Sequence, residues 1–205
     1  PRWATREMMP SLVGLARTNY LAYLLFAYYL RYKPSKHIKL IARTCERIES
    51  GELKRVMFFM PPRHSKSMTV TESFPSWFIG KDPERRVIEV SYGDALARRF
   101  GRANRRKIES FGPALFNIEV AGDNSSVTNW SIEGHSGGMI SAGVGGPITG
   151  EGADCLIIDD PIKNRQEANS PTYRDMLWDE YRNTLLTRLQ PNASIILIQT
   201  RWHED

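Results

Sequence analysis

Four short apolar runs punctuate the chain: RVMFFM at 55–60, RVIEVS at 86–91, CLII at 155–158 and SIILIQ at 194–199. Each is too short for a globular helix and suits a buried strand. The stretches between them are long enough to hold helices. Strands alternating with helices predict an α/β fold built on a mainly parallel, doubly wound sheet. A chain of 205 residues gives such a sheet one domain with a sizeable core.

The remaining segments fill in this frame. Residues 11–31 are rich in Leu, Ala and aromatics and predict a helix that Pro34 ends. Residues 37–50 place Ile38, Ile41, Cys45 and Ile48 on one stripe, the pattern of an amphipathic helix, and Gly51 is its stop signal. Further helices are expected from Lys66 to Gly80, from Asp94 to about Ser110, and over most of 167–190. Residues 124–152 are rich in Gly, Ser and Asn and read as a hairpin followed by a glycine-rich loop. That stretch is either a flexible surface excursion or a loop that touches nucleotide or DNA. Residues 1–36 are read as a helical N-terminal extension and 37–205 as the core.

Composition excludes several classes. The apolar stretch at 20–30 is too short for a bilayer, which takes about 20 residues. Cys45 and Cys155 are far apart and form no zinc or disulfide framework. A net charge of +5 is compatible with a polyanion partner without requiring one. The chain stops directly after a strand-like segment, which reads as a cut and not a natural terminus.

The strongest chemical signal is Met60-Pro61-Pro62-Arg63-His64-Ser65-Lys66-Ser67, directly after the first strand. Lys66-Ser67 matches the close of a Walker A phosphate loop, while Met60 and Ser65 stand where the standard pattern has glycines. The physical demands can still be met. Backbone N–H groups of Pro62 through Ser67 (proline itself excepted) would face phosphates at a helix start, Lys66 would reach them, and Ser67 would ligate Mg²⁺. Ser65 is small, though at positive φ it carries a steric cost that glycine avoids. Arg63 adds a second cation to the loop. The bland alternative is a basic turn that starts a helix.

Asp159-Asp160 ends the CLII strand. In phosphate-loop enzymes the first such carboxylate holds Mg²⁺ and the next orients the attacking water. Strand C-terminal ends are where open α/β sheets bind ligands. An acidic turn capping a strand is the alternative, but two adjacent carboxylates repel unless a cation is near.

MPPRHSKS, FPSWFIG at 74–80, SYGDALARRFGR at 91–102, GVGGPITGEGADCLIIDDPIKN at 143–164 and QTRWHED at 199–205 together resemble phage terminase large subunits, in the family's order. The resemblance covers about residue 40 to the end and implies a P-loop NTPase of the ASCE type, its central sheet flanked by helices. It implies hydrolysis of ATP with Mg²⁺, coupled to pumping double-stranded DNA into a procapsid. The partners implied are the portal protein, a small terminase subunit and other copies in a ring, commonly a pentamer, with a monomer in isolation. The implied setting is the host cytoplasm, docked on the procapsid and absent from the mature virion, with no membrane. Asp160, Arg63 and Lys66 would be catalytic. Gln199, Thr200 and Arg201 fall at the family's coupling motif, with Thr200 the foremost γ-phosphate contact. The family's C-terminal nuclease domain has no counterpart in this chain.

Three departures accompany the resemblance. The catalytic carboxylate is the shorter Asp160, Ser65 replaces a glycine, and Glu151 stands where a basic finger for a neighbouring subunit is expected. The finger is left to Arg98, Arg99, Arg102, Arg105 and Arg106, a run that would alternatively contact DNA, form a subunit interface or simply face solvent. His37 is a candidate adenine contact by analogy, or a solvent-facing histidine at a helix start. His203, Glu204 and Asp205 are assigned to the coupling motif and not to a metal site. A helicase-like ATPase and a non-catalytic nucleotide-binding scaffold are the competing functional readings.

Overall fold

The computed structural model describes residues 9–29, 33–148 and 150–201. Two short helices come first, α1 (Met9–Ala16) and α2 (Tyr20–Ala27). The composition of 11–31 predicted one helix there, and the break has a local cause. The Asn19 side chain accepts the Ala22 N–H at 2.8 Å, capping a new helix, and its amide donates to Glu46 at 2.9 Å. Helix α3 (Lys36–Glu49) buries the predicted stripe of Ile38, Ile41, Cys45 and Ile48. It ends before Gly51, which takes φ of 79°.

Strand β1 (Arg55–Phe59) leads into the loop at 60–65 and a single turn of helix, α4 (Lys66–Thr69). A separate helix, α5 (Phe74–Lys81), follows, so the single helix expected from Lys66 to Gly80 is broken. Pro75 sits in the first turn of α5, where its missing N–H is tolerated. Strand β2 (Arg86–Ser91) precedes a long helix, α6 (Asp94–Phe116). That helix continues past the expected end at Ser110, carries Pro113, and stops at Asn117 with φ of 57°.

Strands β3 (Val120–Ser125), β4 (Asn129–Ile132) and β5 (Gly138–Gly143) come next, then β6 (Ala153–Asp159). Helices α7 (Arg165–Ala168) and α8 (Pro171–Glu180), a π-turn at Tyr181–Leu185 and a 3₁₀ turn at Leu186–Arg188 lead to β7 (Leu189–Gln199). Among the described residues the strands form one sheet in the order β1-β7-β6-β2-β5-β4-β3. The first five run parallel to one another, β4 is antiparallel to β5, and β3 is antiparallel to β4.

Two expectations are corrected here. The segment 124–152 is not a surface excursion, because β5 pairs with β2 inside the sheet. Its glycines serve packing: a Cβ on Gly138 would lie 2.3 Å from the Trp130 carbonyl oxygen. Strand β1 is not a buried strand. It lies at the sheet edge, with Met57 and Phe59 exposed on one face.

The core has two sides. On one, α2, α3, α5 and α6 cover Val87, Cys155, Ile157, Ile196 and Ile198, with Trp77 and Trp130 fully buried. On the other, Leu185 and its helical neighbours cover Ile88, Val90, Leu156, Ile158 and Ile195. Neighbouring residues of β6 therefore face opposite sides, as strand alternation requires.

Candidate functional site

Parallel strands bring their C-terminal ends to one edge of the sheet, and the two sequence signals meet there. The loop at 60–65 bends through two left-handed residues that are not glycine, Arg63 at φ of 63° and Ser65 at 61°. The His64 ring is within 2.9 Å of the Pro62 carbonyl oxygen. Beyond the bend, the backbone N–H groups of Lys66, Ser67 and Met68 donate to no acceptor among the described residues. These are the free donors of a helix start.

Lys66 is buried, and its Nζ donates to both oxygens of Asp160 at 2.6 Å and to Thr200 Oγ1 at 2.7 Å. The Thr200 N–H donates to Asp160 Oδ1 at 2.8 Å. Asp160 is itself held at φ of 46°, its N–H bonded to the Ile198 carbonyl oxygen at 2.8 Å. The loop after β1, the end of β6 and the end of β7 thus converge on one ammonium group.

Asp159 is fully buried on the α5 and α6 side of the sheet. Its Oδ2 accepts from Thr71 Oγ1 at 2.6 Å, and its Oδ1 has no partner among the described residues. Burial pushes its pKa up to about 6; the Thr71 and Ser67 hydroxyls oppose the rise, the Asp160 charge adds to it and Lys66 opposes it. A buried carboxylate oxygen without a donor is costly unless a cation or water meets it. Asp159 with the Ser67 hydroxyl therefore fits a hard divalent cation that takes only one or two protein ligands beside substrate phosphates. Among the described residues no group of three or more His, Cys, Asp or Glu forms an all-protein metal cage.

Behind Asp159 lies a second buried carboxylate, Glu89 on β2. Its pKa is raised well above the usual range, by burial first and then by the Asp159 charge, against a hydrogen bond from Ser91. Glu89 Oε2 and the Ser141 hydroxyl are also buried without partners. Sequence reasoning missed Thr71 and Glu89. A charged residue inside the apolar run RVIEVS was the available signal for Glu89.

The other predicted residues divide. His37 lies beside the loop, its ring 6.0 Å from that of His64, with Ser35 Oγ 3.1 Å from its Nδ1. Gln199 pairs with Phe59 across β7 and β1, and the Arg201 guanidinium sits 5.8 Å from the Phe59 ring centre. The arginines of α6 pair with none of Lys66, Asp159 or Asp160. Arg99 bonds Glu72 at 2.6 Å, Arg105 bonds Glu109 at 3.2 Å, and Arg98, Arg102 and Arg106 have no ion-pair partner among the described residues. Glu151 pairs with Arg86, tying the glycine-rich loop to the start of β2. His203, Glu204 and Asp205 lie outside the described residues.

A model of the terminase large subunit, T4likevirus-type, N-terminal, matches residues 57–205. No curated protein matches the chain.

Proposed function

Because the chain belongs to the terminase large subunit family, matching its N-terminal part over residues 57–205, we propose that it hydrolyses ATP to drive double-stranded DNA into a viral procapsid. The observation that carries this reading is the meeting of Lys66, Asp160 and Thr200 at 2.6–2.7 Å, from three separate elements. The order of the sheet supports it too. Strand β7 lies between the strand before the loop and the strand bearing the acidic pair, an order that fits the ASCE type.

In this reading the free N–H groups of Lys66, Ser67 and Met68 and the Lys66 ammonium bind the phosphates. Asp159 and Ser67 hold Mg²⁺, which when bound neutralises phosphate charge. Lys66 leaves Asp160 as the γ-phosphate takes its place. Asp160 then orients a water and holds its proton while the oxygen attacks phosphorus and the bond to ADP breaks. Arg63 stabilises charge on the transferred group. Thr200, bonded to both Lys66 and Asp160, reports the change to β7, with Gln199 and Arg201 on either side. His37 is the proposed adenine contact.

The partners proposed are double-stranded DNA, the portal, a small terminase subunit and further copies of this chain in a ring, working in the host cytoplasm. No helix among the described residues is long and apolar enough to cross a membrane.

Mg²⁺-dependent hydrolysis of ATP by the native chain, Lys66→Ala and Asp160→Asn tests the reading. Activity that needs both residues supports it. Activity indifferent to either substitution overturns it.

A further inference from the structure

One short segment carries three side chains of the site. Lys66 reaches Asp160 and Thr200, Thr71 donates to Asp159, and Ser67 follows Lys66. Yet the segment has little helix of its own. Helix α4 is a single turn, Lys66–Thr69, and one turn fixes many dihedrals for few hydrogen bonds.

Its carbonyl end does not run on into α5. In a continuing helix each carbonyl accepts the N–H four residues on. Here the Glu72 N–H goes to the Ser67 carbonyl at 2.8 Å, and the Ser73 N–H to the Val70 carbonyl at 3.3 Å. The Ser76 N–H goes to Asn104 Oδ1 at 3.0 Å, and Pro75 has no N–H to give. Side chains serve the carbonyls instead. The Met68 carbonyl accepts from Ser73 Oγ at 2.9 Å and from the Tyr28 hydroxyl at 3.3 Å, and the Thr69 carbonyl accepts from the Tyr20 hydroxyl. The Thr71 carbonyl accepts from Asn104 Nδ2 at 2.8 Å, and the Glu72 carbonyl from Lys107 Nζ at 2.6 Å. Asn104 and Lys107 stand on α6. Tyr20 opens α2 and Tyr28 caps its end, both outside the span 57–205 that matches the family.

The surroundings of α2 hold these hydroxyls in place. Glu46 on α3 accepts the Asn19 amide at 2.9 Å and the Tyr20 N–H at 2.8 Å, fixing the start of α2. The Tyr20 ring is wholly buried, edge-on to Phe74 at 5.6 Å and tilted against Trp77 at 5.1 Å. The Tyr28 hydroxyl also meets Ser73 Oγ at 3.0 Å.

We infer that Tyr20 and Tyr28 are positioning residues for ATP. Their hydroxyls brace the carbonyl end of α4 and so fix where Lys66, Ser67 and Thr71 point. Without the brace, binding must first order the segment, and that cost weakens affinity. The N-terminal extension is thus a working part of the nucleotide site. The inference rests on the reading that Lys66 and Ser67 meet the phosphates and their Mg²⁺.

Tyr20→Phe and Tyr28→Phe each delete one hydroxyl and keep the ring. Tyr23→Phe is the comparison variant, since its buried hydroxyl meets Ser76 Oγ on α5 at 2.8 Å and no α4 carbonyl. Hydrogen exchange of the 205-residue chain without nucleotide reports the amides of Thr69, Val70 and Glu72, and calorimetry with ATP and Mg²⁺ reports affinity. Tyr20→Phe and Tyr28→Phe should quicken that exchange and raise the ATP dissociation constant by about fivefold, the scale of one hydrogen bond. Tyr23→Phe should melt lower and keep native exchange and affinity. Native affinity in both Tyr20→Phe and Tyr28→Phe overturns the inference, whether or not exchange quickens. So does a Tyr23→Phe chain that shifts as far as they do, which would reduce the tyrosines to general stability. If Tyr20→Phe does not fold, the half-buried Tyr28 carries the test alone. Lys66→Ala that binds ATP like the native chain, with exchange still quickened by the tyrosine variants, sinks the phosphate reading and leaves the brace. Unchanged exchange and affinity in those variants, with binding that needs Lys66, sinks the brace and leaves the phosphate reading.

Discussion

Lys66 grips both carboxylate oxygens of Asp160, each at 2.6 Å from the ammonium nitrogen. The lysine side chain is almost wholly buried, while that of Asp160 is about a quarter exposed. A phosphate that engages Lys66 must therefore displace Asp160 from it. Asp160→Asn should weaken that internal competitor and remove a negative charge from the site. We expect tighter ATP binding together with hydrolysis slower by about 100-fold or more, the usual scale for losing a positioned base. Calorimetric binding beside single-turnover hydrolysis measures both. Binding that weakens would show that the ion pair does not oppose nucleotide.

Thr71 donates to Asp159 Oδ2 at 2.6 Å, while Oδ1 is unpartnered among the described residues. Thr71→Val keeps the shape and removes the donor. Stability should fall by about 1–3 kcal/mol, the cost of orphaning a buried acceptor. The Mg²⁺ concentration for half-maximal hydrolysis should rise, since Asp159 would hold its proton more tightly. Thr71→Ser, which retains the hydroxyl, should recover both. A Thr71→Val chain with unchanged melting and Mg²⁺ response would remove Thr71 from the account.

Two buried carboxyls set a pH dependence. Asp159 rises from its usual 3.8 to about 6, and Glu89 rises well above its usual 4.5, both chiefly through burial. The folded chain then keeps protons that the unfolded chain has released, so the free energy of unfolding falls as pH increases. For Asp159 this decline begins near 4 and is complete above 6, amounting to about 3 kcal/mol. Glu89 extends it to higher pH. Thermal melts of the metal-free protein at stepped pH should show this loss, flattened in Glu89→Gln. Parallel curves for the two proteins would mean that Glu89 does not titrate as its burial demands.

Ser65 occupies the left-handed region at φ of 61°. For a residue with a side chain that conformation costs about 1 kcal/mol, which glycine avoids. Ser65→Gly should therefore raise the melting temperature, by a few degrees for a domain of this size. Hydrolysis should persist, since Ser65 contributes backbone to the loop and no side-chain contact to Lys66 or Asp160. A fall in melting temperature would mean that the serine side chain holds the loop together.

Much of this arrangement was legible in the residue order. The apolar runs at 86–91 and 155–158 became β2 and β6, and the stripe of Ile38, Ile41, Cys45 and Ile48 became the buried face of α3. Lys66, Asp160 and Thr200, named from motifs, meet in space. What was not legible depends on partners distant in sequence. Nothing in RVMFFM says that the run lies at a sheet edge, since that is settled by where β7 inserts. Gly138 reads as loop until the Trp130 carbonyl is seen to need its missing side chain. Thr71 matters through Asp159, far along the chain, and no local pattern links them.

Strand β1 has a further consequence for anyone handling the protein. One of its edges pairs with no strand among the described residues, and its Met57 and Phe59 stand exposed on one face. An unpaired edge beside bare apolar side chains is how sheets recruit foreign strands and precipitate. Arg201 shields the Phe59 ring in part, from 5.8 Å, and leaves Met57 unguarded. Met57→Lys should thus raise the concentration at which the chain remains clear in light scattering, with little change in melting temperature. Oxidation of the same methionine during storage would be harmless to the core, because its side chain projects away from it.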